Sequence, residues 1–95
     1  MRIITRKRIL DFSNEHPQSK APLDAWFCIV EKSNYKSFVD LRKSFPSADN
    51  VGVLTVFNIG GNKYILIAAI HYNTKMVFIR HILTHSEYDR GKWKE

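Results

Sequence analysis

Three runs in the second half of the chain, LTVFNI (54–59), KYILIAAIHY (63–72) and KMVFIRHIL (75–83), are dense in β-branched and aromatic residues. Only GGN (60–62) and NT (73–74) separate them. Side chains of these types pack best on a pleated surface, and glycine- and asparagine-containing turns of this length close hairpins. The spacing therefore predicts an antiparallel meander. Its middle run is apolar at successive rather than alternate positions, so it reads as a central strand covered on both faces.

The first half carries a helical period instead. RIIT (2–5) reads as a short strand, followed by Arg6, Lys7 and Arg8 and then Ile9, Leu10 and Phe12, a partly amphipathic helix that stops near His16 and Pro17. Leu23, Trp26, Phe27 and Val30 fall at i, i+3, i+4 and i+7, one apolar helical face, with Pro22 tolerated in the first turn. Ser37 is placed to cap a third helix, with Asp40 three residues on. On it Phe38, Leu41 and Phe45 share a face, Arg42 and Lys43 lie away from it, and Pro46 ends it. SADNVG (47–52) reads as loop. After the third strand, Thr84 and Glu87 have capping-box spacing, so a short helix begins there, with His85 and Tyr88 on one face and Gly91 at its end. Together these elements predict one α+β domain over residues 1–95, with N-terminal helices packed on one face of a small antiparallel β-sheet and a short C-terminal helix.

Composition narrows the partners. An apolar share of 44% is too rich for disorder. The single cysteine, Cys28, permits no internal disulfide and fits a reducing, cytoplasmic setting. The longest apolar run, YILIAAI (64–70), is far short of the roughly 18 residues a membrane helix needs, and no signal-peptide core follows the basic N-terminus. No membrane association is expected. Fifteen Lys and Arg stand against 9 Asp and Glu, a net charge of +6. Such a balance favours a polyanion, nucleic acid first, although an acidic protein partner or simple solubility would use it equally well.

Among possible chemistries, metal binding finds no support. His81 and His85 are four apart, but the strand-to-helix break between them removes the helical geometry that spacing requires. Gly60 and Gly61 belong to a hairpin turn and no cofactor-binding motif is present. RNA cleavage without a metal needs a proton acceptor for a 2′-hydroxyl, an acid for the leaving oxygen, and cations around the phosphorus. Arg80, His85 and Tyr88 offer a phosphate fork, a group titrating near neutrality and a stacking ring within nine residues, and Lys63 can join them from the neighbouring strand. The same residues also fit a plain junction, in which Arg80 is solvated, His85 follows a cap and Tyr88 packs the helix down. His71 and His81 read as half-buried strand residues, and Arg6 to Arg8 as a solvated helix face with phosphate contact second.

A resemblance adds to this reading. AWF.IV (25–30), FPSAD (45–49), VFNIGGNKY (56–64), AAIHY (68–72), VFIRH (77–81) and THSEYD (84–89) together resemble the HigB-type toxins of bacterial toxin–antitoxin systems, a branch of the RelE-like mRNA interferases. The likeness implies an endoribonuclease acting on mRNA, in many relatives within the translating ribosome, through 2′-hydroxyl attack and without metal or cofactor. It also implies a cognate helix-turn-helix antitoxin, which neutralises the toxin and carries it to operator DNA. By position, Asn62, Lys63, Arg80, His85 and Tyr88 are expected near RNA: Lys63 and Arg80 on phosphate, His85 in proton transfer, Tyr88 on a base and Asn62 as a polar contact. Arg42 and Lys43 are expected as further RNA-binding residues. Two positions depart from the family pattern. Ile65 stands where an arginine is usual, on a strand position expected to share a face with Lys63, and Cys28 stands where a basic residue is more common. Reduced activity, or an inactive homologue that serves only to bind antitoxin and regulate its operon, is the expectation these raise.

Overall fold

The computed structural model describes residues 1–91 and Trp93. A five-stranded sheet in the order β1-β5-β4-β3-β2 is its frame. The strands are β1 (Arg2–Ile4), β2 (Asp49–Val51), β3 (Leu54–Ile59), β4 (Tyr64–His71) and β5 (Met76–Thr84). The helices are α1 (Lys7–Glu15), α2 (Lys20–Lys32), α3 (Phe38–Ser44) and α4 (His85–Asp89), with a single 3-10 turn, Pro17–Ser19, between α1 and α2. The expected meander β3-β4-β5 is present and β4 is its centre.

Two expectations need correction. The sheet is not wholly antiparallel, because β1 pairs parallel to β5, Arg2 opposite Met76 through Ile4 opposite Phe78. The stretch 47–52 is not all loop, because Asp49–Val51 forms the outer strand on β3. Its polar residues hide it: Asp49 and Asn50 are exposed on the sheet edge, where pairing depends on backbone groups rather than on an apolar side-chain pattern.

β4 is buried because both faces of the sheet are covered. On one face, Leu23 and Trp26 of α2 and Leu41 of α3 meet Phe57, Leu66 and Ile79 in the main core. Phe57 joins two helical elements to β3: its ring packs edge-on against Trp26 at 5.4 Å and against Phe45 at 5.1 Å. On the other face, Val56, Ile65, Ile67 and Trp93 make a second, smaller core, with Leu83 and Tyr88 against it. All three N-terminal helices lie on the first face, as the sequence implies, and the C-terminal segment covers the second. At the C-terminal end of α2 the α-amino group of Met1 donates to the carbonyls of Val30, Glu31 and Ser33, acceptors that a helix end leaves open.

β5 carries one irregularity. Ile67 pairs with His81 and Ala68 with Ile79, so Arg80 is an extra residue with no partner on β4. The bulge resets the alternation. Val77 and Ile79 face the helices before it and Ile82 does so after it, while His81 and Leu83 face the other way. Among the described residues no helix is long and apolar enough to cross a membrane.

Candidate functional site

The end of β5 is held in place by a cap. Thr84 Oγ1 accepts from the Glu87 amide at 3.3 Å, and Glu87 Oε1 accepts from the Thr84 amide at 3.0 Å, the reciprocal box the sequence implies. The Thr84 amide holds the Glu87 carboxyl below its ordinary range. The ionised carboxylate therefore supports the cap above that range, and the support is lost as pH falls through the lowered pKa. Replacing Thr84 by Ala should cost about 1 kcal/mol and loosen α4, seen as a lower denaturation midpoint at neutral pH.

His85 is the first residue of α4, and its backbone amide donates to Lys63 O at 3.2 Å. This bond ties the β3–β4 turn to α4 and sets Lys63 beside His85. Lys63 lies in the turn just before β4 rather than on the strand itself. Asn62, in the same turn, takes the left-handed conformation with φ 78°. His85 Nδ1 is 3.0 Å from Asp89 Oδ2, one helical turn on. An ionised carboxylate can only accept, so Nδ1 carries the hydrogen, and in the neutral ring Nε2 keeps its lone pair. Both side chains are about half exposed or more, at 49% and 63%, so the pair contributes little to stability and serves to orient the ring.

The aromatic side of the site differs from expectation. Tyr88 and His85 do share a face, with ring centroids 6.3 Å apart. However, Trp93 lies parallel to Tyr88 at 5.3 Å and 10°, and its indole nitrogen donates to Tyr88 O. One face of the tyrosine is thus taken by an indole of the same chain. Ile65 is in the core beneath, 1% exposed, opposite Leu83 on β5 and Asn58 on β3. It is two residues in register from His85, so a longer cationic side chain at 65 would start close to the histidine and on the same face as Tyr88.

Arg80 is farther off. Five residues of chain separate it from His85, about 16 Å between Cα positions at the usual strand rise, so it is not an immediate neighbour of the histidine. It is exposed and makes no ion pair or hydrogen bond among the described residues. His81, next to it, lines a cleft of about 340 Å3 with Leu83, Glu87, Arg90 and Trp93. Burial first, then the charges of Arg8 and Arg80, hold His81 below its ordinary pKa, so it is neutral at pH 7. Arg42 and Lys43 are on α3, in the layer on the opposite face from Tyr88 and Trp93. The Arg42 guanidinium donates to Pro46 O at 3.1 Å and lies 6.0 Å from the Phe38 ring.

The structure therefore gathers Lys63, His85 and Tyr88, leaves Arg80 on the same strand at a distance, and sets Arg42 and Lys43 apart. Asp89, Arg90 and Trp93 were missed. The i,i+4 spacing of His85 and Asp89 on a capped helix was a readable signal. Nothing in the spacing of Trp93 announced that it would fold back on the sheet.

A helix layer on a mostly antiparallel five-stranded sheet is an α+β arrangement consistent with the RelE-like toxin fold. The HigB toxin family, described as the RelE-like toxic component of a toxin–antitoxin system, matches residues 19–91, and the chain belongs to it. The chain is 36% identical over 92 residues to the mRNA interferase toxin HigB of Escherichia coli (strain K12), covering 94% of this chain and 88% of that protein. The mRNA interferase HigB of Shigella flexneri shows the same identity and coverage. A second mRNA interferase HigB, from Escherichia coli O6:H1, is 27% identical over 93 residues, covering 95% of this chain and 90% of the relative.

Proposed function

We propose that the chain is the toxin of a type II toxin–antitoxin system and cleaves mRNA, in the cytoplasm and in association with the ribosome. Family membership supports the toxin reading, and the His85–Asp89 pair beside Lys63 is the observation that supports the chemistry. His85 Nε2 takes the proton of a 2′-hydroxyl, the 2′-oxygen attacks the adjacent phosphorus, and the bond to the 5′-oxygen breaks. That leaving oxygen takes up a proton, and the cleaved strand ends in a 2′,3′-cyclic phosphate. Lys63 balances charge on the phosphate oxygens, Arg80 holds a neighbouring phosphate, Asn62 adds a polar contact and Tyr88 positions a base. Asp89 keeps the imidazole in the tautomer that leaves Nε2 free. A helix-turn-helix antitoxin is the expected partner, and operator DNA is reached only through it.

A second reading is supported by Ile65. With an isoleucine closed in the second core at this position, Lys63, whose carbonyl accepts from the His85 amide, is left to supply the neighbouring cation, and a chain so altered can persist as an antitoxin-binding regulator with little cleavage. The two readings separate in a translation reaction in which mRNA breaks are mapped. Under the toxin reading the parent cleaves, and Ile65→Arg, which returns a guanidinium near the phosphate, raises the rate by about a hundredfold if the variant stays folded. Absence of cleavage by both folded proteins sinks the nuclease reading and favours the regulator.

A further inference from the structure

Arg8 and Arg80 come from different elements and meet at one edge of the sheet. β1 covers β5 only as far as Phe78, so from Ile79 onward the outer edge of β5 has no strand beside it. α1 packs there instead: Arg8 and Phe12 share a hollow with Ile82. Arg80 is the bulged residue of this same open stretch. Arg80 stands two residues before Ile82, which shares that hollow with Arg8, and the fields of both guanidinium groups reach His81. Neither guanidinium has an ion pair or hydrogen-bond partner among the described residues. Asp11 and Glu15 line the same hollow without forming an ion pair with Arg8. Two unpaired forks at an open edge mark a track for an anionic chain, which must keep clear of the Asp11 and Glu15 carboxylates.

We propose that Arg8 and Arg80 form a second phosphate subsite, remote from His85, that grips the backbone of single-stranded RNA along the open edge of β5. This rests on the ribonuclease reading and extends it, because it gives the substrate a direction: from Lys63 and His85 at the end of β5, past Arg80, to the start of α1. Arg8 is a positioning residue here, and its contribution lies in substrate affinity rather than in the chemical step.

The test is binding of a 2′-O-methyl oligoribonucleotide, which cannot be cut, followed by fluorescence anisotropy over a series of salt concentrations. Arg8→Ala should weaken binding several-fold and reduce the slope of log K against log salt by about 0.7, the value for one phosphate on a single strand. Arg8→Lys should recover most of that slope, and Lys32→Ala, at the end of α2, should behave as the parent. A parent that binds with the expected salt slope while Arg8→Ala matches it in affinity and slope overturns the subsite and leaves the nuclease reading standing. An equal loss with duplex RNA would overturn the assignment to a single strand. If the parent itself shows no salt-dependent RNA binding, the nuclease reading and the subsite fall together.

Discussion

Replacing His85 by Ala should lower the rate of mRNA cleavage by about a hundred- to ten-thousandfold, the usual worth of a positioned proton acceptor. The argument is geometric. His85 is fixed from both sides, its amide on Lys63 O and its ring on Asp89, with about half of its side chain exposed. Because the side chain is about half exposed and makes no core contact, its removal should leave the denaturation midpoint nearly unchanged. Loss of cleavage with intact stability is therefore the expected signature, measured as single-turnover cleavage beside a urea titration. Cleavage at the parent's rate would remove His85 from the mechanism. The other imidazole next to the cleft, His81, would then be the group to test, since it is neutral at pH 7.

The largest effect on folding is expected at Phe57. Its side chain is 1% exposed and lies between Trp26 of α2 and Phe45 just after α3. Phe57→Ala removes a ring with few ways to refill its space, since both neighbours are themselves large and constrained. A loss of about 3–5 kcal/mol follows from comparable core truncations. Against a typical total of about 5–15 kcal/mol for a folded domain, the variant would be marginal. Guanidinium unfolding should show a much lower midpoint with little change in slope; a shift below about 1 kcal/mol would mean that α2 and α3 close over the gap.

Most of the helix layer was legible because its signals are local. Leu23, Trp26, Phe27 and Val30 declare one face by spacing alone, and the caps at Ser37 and Thr84 are visible as residue pairs three apart. The meander was legible for the same reason. What escaped depends on pairing between distant segments: the parallel contact of β1, the short polar edge strand β2, and the bulge at Arg80 that decides which way His81 and Ile82 point. The site divides along the same line. His85 and Tyr88 share a face by helical arithmetic, whereas the return of Trp93 onto Tyr88 and the closure of Ile65 beneath are tertiary events. The resemblance identified which polar residues to follow, and the fold set the turn carrying Lys63, rather than Arg80, directly beside His85.

The parallel pairing of β1 with β5 has a consequence for the cell that makes this chain. Arg2 waits for Met76, a partner more than seventy residues later, and contacts so far apart in sequence close late. Synthesis proceeds from the N-terminus, and the helices and first hairpin emerge before β5 and α4 exist. The residues that would attack RNA are thus among the last to be laid down. A nascent chain therefore lacks His85 and Asp89 until the N-terminal helices and the first hairpin are already made.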